Sequence, residues 1–148
     1  MSSEQGHCLC GEVKFEVTLE NHQVGACHCG MCRRWGGGPS IMVETPTPPR
    51  FEDSSHVRVH TSSDWAERGF CAQCGSHLFY RLKDHSFYGI PVGLLTDNGQ
   101  LWALTMEVFI EEKPSFYSFA GDTRKLTGAE LFAQHGADDP AVSDTSNS

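Results

Sequence analysis

Seven cysteines in three short clusters are the residues of this sequence that could do chemistry. The clusters read CLC, CHCGMC and CAQC, and they contain Cys8, Cys10, Cys27, Cys29, Cys32, Cys71 and Cys74. An odd number of cysteines cannot pair completely into disulfides. Cysteines that serve only as small apolar core residues would instead be scattered along the strands. Clustered thiols at this spacing are typical of metal sites, above all of zinc sites.

The pairs Cys8–Cys10 and Cys71–Cys74 share the same turn chemistry. Each pair ends in Cys-Gly, and glycine allows the positive φ that folds backbone amides toward the sulfurs. Two such turns that face each other give four thiolates, which is the usual ligand set of a closed structural zinc site. We therefore predict a structural zinc ion that ties residue 10 to residue 71 across a long loop.

The remaining thiols, Cys27, Cys29 and Cys32, are three ligands within one turn of chain. Three ligands leave a fourth position open for water or substrate, as in catalytic zinc sites. Either His28 or His22 could close the site instead. His28 is flanked by two ligands, so its side chain is expected to point away from the metal, and His22 is expected to be solvated.

The ligand type indicates chemistry on sulfur compounds. Zinc held by three thiolates is a poor Lewis acid for water but accepts a further sulfur ligand well. A thiol that binds there would lose its proton and be held as a nucleophile or leaving group. Arg33 and Arg34 follow the last cysteine directly and could bind a substrate carboxylate; a solvated surface pair is the alternative. We assign no acid–base residue.

Charge and composition exclude several other classes of function. The 148 residues contain 11 basic and 19 acidic side chains, a net charge of -8, so no basic surface for nucleic acid is expected. There is no apolar run of membrane-spanning length, and the first residues lack the pattern of a secretion signal. We therefore predict a cytoplasmic protein without a membrane or nucleic-acid partner, in a compartment where thiols stay reduced.

The hydrophobic pattern predicts a mainly β protein. Apolar and polar residues alternate through 12–19, as in a half-buried strand, and further strands are predicted at 39–44, 56–60, 77–82, 86–93 and 106–111. A turn is predicted at 96–99.

A capping-box sequence at 127–130 predicts a C-terminal helix that ends at Gly136. We divide the chain into a flexible N-terminus at 1–5, one domain at 6–136 and a disordered tail at 137–148.

Five segments of the chain carry a family likeness. They are CLCGEVKFEV, CHCGMCRRWGGGPS, SSDWAERGFCAQCGSHLFYR, YGIPVGLLTD and EVFIEEKPSFYSFAGDTRKLTGAE. Together they resemble the glutathione-dependent formaldehyde-activating enzyme family, which shares its domain with centromere protein V. The likeness covers roughly residues 6 to 135 in unbroken order. Three cysteine motifs in sequence are far more specific than a single C-x-x-C.

The resemblance implies a zinc-stabilised β-tent fold, made of two small antiparallel sheets with a short C-terminal helix. It also implies two zinc ions per chain, one structural and one catalytic. By the family pattern the structural ligands are Cys8, Cys10, Cys71 and Cys74, and the catalytic ligands are Cys27, Cys29 and Cys32.

The family is classed among carbon–sulfur lyases, and its named activity joins glutathione and formaldehyde into S-(hydroxymethyl)glutathione. The resemblance therefore implies a zinc-dependent lyase, or the reverse addition, that acts on an adduct of a small thiol such as glutathione. Two alternatives remain open. A non-catalytic binding module would have two structural metal sites and a fourth protein ligand at the second. A thiol redox enzyme would need a metal-free cysteine, whereas every cysteine here lies in a cluster.

Overall fold

The chain folds into two compact units, each built from two segments. Unit 1 comprises Met1–His22 and Met42–Trp102, and unit 2 comprises Gln23–Ile41 and the residues from Ala103 onward. The sequence predicts a single domain over 6–136, whereas the structure divides this range between the two units.

The structure is a computed structural model, and it describes residues 1–95 and 101–134. The turn predicted at 96–99, the helix end predicted at Gly136 and the tail predicted at 137–148 lie outside these residues.

Strands dominate the described residues, which confirms the prediction of a mainly β protein. In chain order the strands are β1 (Ser2–His7), β2 (Lys14–Leu19), β3 (Gln23–Cys27), β4 (Ser40–Thr45), β5 (Arg50–Phe51), β6 (Val57–Thr61), β7 (Ala66–Cys71), β8 (His77–Leu82), β9 (Tyr88–Pro91), β10 (Ala103–Val108) and β11 (Arg124–Leu126). The α-helices are α1 (Gly30–Gly36) and α2 (Gly128–Gln134), and short 3-10 turns occupy Val92–Leu94 and Ile110–Glu112.

In unit 1, β1, β2 and β5 form a three-stranded antiparallel sheet with β2 in the centre. Phe15, Val17 and Leu19 are buried on one face of β2, as the alternation in the sequence predicts. The other strands of the unit pair antiparallel in the order β4, β9, β8, β7, β6, with β4 belonging to the unit from Met42 onward.

Strand β1 contains most of residues 1–5, which the sequence predicted to be flexible. It pairs with β2 along its whole length, from Ser2 opposite Leu19 to His7 opposite Lys14. Gly6 permits this pairing, because a Cβ atom there would lie 2.7 Å from the ring of Phe15. The segment contains no apolar alternation of its own, so its conformation is set by its partner strand.

In unit 2, β10 lies between β3 and β11 and pairs parallel with both. This parallel pairing differs from the antiparallel sheets that the family resemblance implies. Parallel neighbours require a long connection, and the chain makes that connection by running through the second segment of unit 1 between β3 and β10.

The two helices of unit 2 have well-defined starts. In α2 the predicted capping box is present: the Glu130 amide donates to Thr127 Oγ1 at 3.1 Å, and the Thr127 amide donates to Glu130 Oε1 at 2.9 Å. Helix α1 is capped by Cys29 and ends at Gly37, whose φ is 87°. No helix in the described parts of the chain is long and apolar enough to cross a membrane.

Candidate metal centres and an adjoining cleft

Four cysteine sulfurs converge in unit 1. They belong to Cys8, Cys10, Cys71 and Cys74, and they all lie within 4.8 Å of one another. The Cys8–Cys10 and Cys10–Cys71 sulfur separations are 3.5 and 3.9 Å. A tetrahedral zinc ion with Zn–S bonds of about 2.3 Å requires sulfurs about 3.8 Å apart. The arrangement therefore fits a closed four-thiolate zinc site.

The turns that present these sulfurs have the predicted glycine conformation. Gly11 and Gly75 have φ values of 83° and 82°, which glycine adopts without strain. The Val13 amide donates to Cys8 Sγ at 3.3 Å, and the amide two residues after Cys71 donates to its sulfur at the same distance. These hydrogen bonds stabilise negative charge on the sulfurs.

Two of these thiols, Cys74 and Cys10, have very different pKa values when no cation is bound. Hydrogen bonds with Ser76 lower the pKa of Cys74 to about 5. The Glu12 backbone lowers the pKa of Cys10, but desolvation and the neighbouring thiols outweigh that effect and raise it to about 12. A divalent cation is what would allow all four groups to be thiolates together.

Three further sulfurs converge in unit 2, where strand β3 turns into helix α1. Cys27 is the last residue of the strand, Cys29 is the N-cap of the helix and Cys32 lies in its first turn. Their sulfur atoms lie within 4.8 Å of one another, and the Cys32 amide donates to Cys29 Sγ at 3.3 Å. The cluster packs against the buried ring of Phe109. The donor set fits a zinc ion with three protein ligands.

The close approach of the three sulfurs also changes the pKa of Cys27. Hydrogen bonds with Cys29 and Cys32, together with burial, raise the pKa of Cys27 well above its ordinary value. Cys27 therefore retains its proton when no cation is bound, and metal binding would release it.

Neither histidine proposed as a fourth ligand is available to this cluster. His28 is completely buried, and both its ring nitrogens have other partners, Tyr117 Oη and Glu107 Oε1, each at 2.8 Å. His22 lies in unit 1, where Nε2 is 2.9 Å from a carboxylate oxygen of Glu4. It therefore has a protein partner, whereas the sequence predicted a solvated side chain. Within the described residues, the three-sulfur group contains no histidine or carboxylate ligand.

A cleft of about 670 Å³ lies in the same unit. Its lining residues come from α1, the segment after it and the segment after Lys113, and they are Gly30, Arg33, Arg34, Gly37, Gly38, Pro39, Pro114, Phe116 and Tyr117. The volume is within the range of small-molecule sites. Because α1 carries both Cys32 and part of this lining, one short helix connects the sulfur cluster to the cleft.

Arg33 and Arg34 provide positive charge at the cleft. Arg33 Nε donates to the backbone oxygen of His28 at 3.0 Å, which fixes the side chain and leaves its two terminal nitrogens for other partners. Arg34 is exposed. In residues 1–95 and 101–134, neither arginine takes part in a carboxylate ion pair. The cleft is therefore suited to an anionic ligand.

The buried polar contacts of His28 have no signal in the sequence. Glu107 and Tyr117 are 79 and 89 positions away from it, and their local patterns do not mark them. Glu107 stands in a predicted strand, and Tyr117 is one of several aromatic residues after Lys113.

Comparison with known proteins agrees with these features. The family model of the glutathione-dependent formaldehyde-activating enzyme matches residues 3–112. A protein of Schizosaccharomyces pombe described as an uncharacterized lyase is 29% identical over 132 residues, which are 88% of this chain and 96% of that protein. A Talaromyces marneffei protein, named as a candidate glutathione-dependent formaldehyde-activating enzyme, is 29% identical over 57% of this chain and 48% of its own length.

A solved structure has a similar fold. The crystal structure of a Rhodobacter sphaeroides protein matches with a TM-score of 0.51 and 25% identity, covering 67% of this chain and 98% of that protein. The family match spans well over half of the sequence and includes all three cysteine motifs. The chain therefore belongs to the glutathione-dependent formaldehyde-activating enzyme family.

Proposed function

We propose that this protein is a zinc-dependent carbon–sulfur lyase that acts on adducts of a small thiol, with S-(hydroxymethyl)glutathione as the specific candidate. The same catalyst would accelerate the reverse addition of the thiol to formaldehyde. Membership of the family and the lyase name of the fungal relative support the reaction class. The four-cysteine group would hold a structural zinc ion, and the three-cysteine group a catalytic one.

The observation that carries the proposal is the position of the His28 side chain. Both its ring nitrogens are hydrogen-bonded to Glu107 and Tyr117, so it cannot complete the ligand set of the three-cysteine cluster. This supports an open cluster over the alternative of a binding module with two closed metal sites. Zinc bound by three thiolates would supply a place for a thiolate sulfur.

The proposed reaction needs no oxidant or reductant. In the lyase direction the carbon–sulfur bond breaks, and its electron pair stays on sulfur. The hydroxyl oxygen of the adduct forms the new C=O bond, and its proton is released to solvent. Thiolate, proton and formaldehyde together contain all the atoms of the adduct.

In this proposal the residues of the cleft would bind the rest of the substrate. Glutathione carries two carboxylates, and Arg33 and Arg34 are the cationic groups of the cleft lining. The bond from Arg33 Nε to the backbone beside the cluster holds its guanidinium group near α1. A carboxylate bound by two parallel N–H groups is oriented as well as attracted.

The test is exchange NMR of formaldehyde and glutathione with zinc-loaded protein. The spontaneous reaction sets the baseline, and the wild-type protein is expected to accelerate exchange between free formaldehyde and the hydroxymethyl adduct. The matched control is Cys29→Ser, which keeps a side chain able to cap α1 but removes one thiolate. Equal exchange rates with wild type and Cys29→Ser would contradict the proposal and favour the binding module.

A further inference from the structure

The end of strand β10 and the residue after it lie against the chain that carries the three-cysteine cluster. The His28 amide donates to the Val108 backbone oxygen at 3.1 Å. The next residue, Phe109, is buried and packs against Cys29 and Cys32. The segment that begins at Val108 therefore follows the ligand-bearing segment in space, within unit 2.

A glutamate extends this contact to the start of helix α1. Glu112 is half-buried, and its Oε1 accepts a hydrogen bond from the Gly30 amide at 2.9 Å. Gly30 is the first residue of α1, follows Cys29 directly and lines the cleft. The first amides of a helix have no partner within the helix, and a carboxylate is a stronger acceptor for them than a neutral group. Glu112 therefore fixes the peptide group that joins Cys29 to α1.

The preceding glutamate makes the same kind of contact with the other helix. Both carboxylate oxygens of Glu111 accept from the Gly128 amide at 3.1 Å, and Gly128 is the first residue of α2. Two adjacent carboxylates thus bind the first amides of two helices of seven residues each. Helix α1 carries a metal ligand, whereas the sequence of α2 contains no cysteine.

The backbone of Phe109 shows that the turn carrying Glu112 is held firmly. Phe109 has φ 54° and ψ 43°, a left-handed conformation that is unusual for a bulky residue. Its ring centroid is 5.6 Å from that of Phe132 in α2, and a Cβ atom at Gly128 would lie 2.4 Å from the ring. Such conformations persist where the surrounding contacts determine them, and they are frequent at functional sites.

We propose that Glu112 is a positioning residue of the three-cysteine metal site, whose hydrogen bond to Gly30 holds Cys29 and the first turn of α1 in the arrangement that binds metal. This inference rests on the proposed function, in which the three-cysteine group holds the catalytic zinc ion. Loss of a hydrogen-bond partner that orients a metal ligand typically weakens metal binding by about 10–100-fold. The role requires an acceptor oxygen beside Gly30 and no change in protonation.

The first test measures metal binding and does not depend on activity. Protein with zinc in the four-cysteine group is titrated with cobalt, and the Kd of the three-cysteine group is read from the thiolate-to-cobalt absorption. Glu112→Ala should raise this Kd at least about tenfold. Glu112→Gln should stay within about threefold of wild type, because its amide oxygen can still accept from Gly30. An unchanged Kd in Glu112→Ala would overturn the proposal, and so would a Glu112→Gln variant that binds cobalt as weakly as Glu112→Ala.

The matched control is Glu111→Ala, which removes the equivalent contact from α2. The hydrogen bonds between Thr127 and Glu130 still cap that helix, so the cobalt Kd of this variant should stay within about threefold of wild type. A rise in Kd equal to that of Glu112→Ala would overturn the proposal, because it would show that any loosening of unit 2 weakens the metal site.

Activity measurements separate this inference from the proposed function. If zinc-loaded wild type does not accelerate the exchange of formaldehyde with its glutathione adduct, the proposed function is refuted. The cobalt Kd values of the Glu112 variants decide the positioning role in either case, because they are measured without substrate.

Discussion

The two cysteine groups should contribute very differently to stability, and replacing one ligand in each tests this. A metal ion in the four-cysteine group connects Cys10 to Cys71, which are 61 positions apart. Closing a loop of that length in the unfolded chain stabilises the folded state by roughly 4 kcal/mol in the chain-entropy model. Cys27 and Cys32 are only five positions apart, for which the same model gives roughly 2 kcal/mol.

The matched pair of variants is Cys74→Ser and Cys29→Ser, each of which removes one thiolate and keeps a small polar side chain. For a chain of this size, about 4 kcal/mol corresponds to a fall in Tm of about 8–16 °C, and about 2 kcal/mol to about 4–8 °C. The Tm of Cys74→Ser should therefore fall by up to about 8–16 °C. The Tm of Cys29→Ser should fall by no more than about 4–8 °C, because serine can still cap α1.

The assay is thermal unfolding followed by circular dichroism, with zinc content measured on the same samples. Cys74→Ser is expected to lose one zinc ion together with its stability, whereas Cys29→Ser should lose zinc with little loss of stability. Equal falls in Tm for the two variants would refute this prediction, because they would show that both cysteine groups stabilise the fold to the same extent. Metal-free wild type, prepared with a chelator, should melt no higher than Cys74→Ser.

Three further results are expected. Freshly reduced wild-type protein should contain up to two zinc ions per chain by metal analysis, and the three-cysteine group should be the weaker site. One ion or none would contradict the division of the seven thiols into a site of four and a site of three. X-ray absorption at the cobalt edge, on protein with zinc in the four-cysteine group and cobalt in the three-cysteine group, should show the sulfur coordination number of cobalt rise from three to four when glutathione is added. An unchanged number would contradict the open site. Arg33→Ala and Arg34→Ala, measured by calorimetry, should each weaken a carboxylate-bearing thiol by about 1 kcal/mol more than a neutral thiol of similar size, and equal losses would make these arginines a surface pair.

Local patterns predicted the regular elements that carry their own signal. The strand at 77–82 coincides with β8, and the alternation at 12–19 coincides with β2 after its first two residues. The capping box predicted the start of α2 because its hydrogen bonds form between residues three positions apart. In each case the information that determines the element lies within the element itself.

Elements determined by distant partners were not predicted. Strand β1 has no apolar alternation and exists because β2 pairs with it. Helix α1 was not predicted for a local reason, because it has only seven residues in a glycine-rich sequence and its N-cap is Cys29, which is not one of the usual capping residues. The hydrogen bonds of His28 join residues 79 and 89 positions apart, and no local pattern reports such contacts. The sequence therefore predicted the candidate metal ligands but not the buried polar chain beside them.

The two C-x-C motifs differ in the burial of their middle residue. The first motif, Cys8–Cys10, lies in a turn in which the Gly11 amide donates to the Cys8 backbone oxygen at 3.1 Å. The second motif begins at the end of strand β3 and leads into helix α1. In the first motif the middle residue is Leu9, which is 86% exposed. In the second it is His28, which is 0% exposed and bonded to Glu107.

This difference connects the metal ligands to the cleft. His28 lies between Cys27 and Cys29 in sequence, its Nδ1 is 2.8 Å from Tyr117 Oη, and Tyr117 is one of the residues that line the cleft. A motif that served only to hold metal would need no buried polar residue at its centre, as Leu9 demonstrates, and burying one without partners would cost roughly 1–3 kcal/mol. The second motif thus places a buried, hydrogen-bonded histidine between its two thiols.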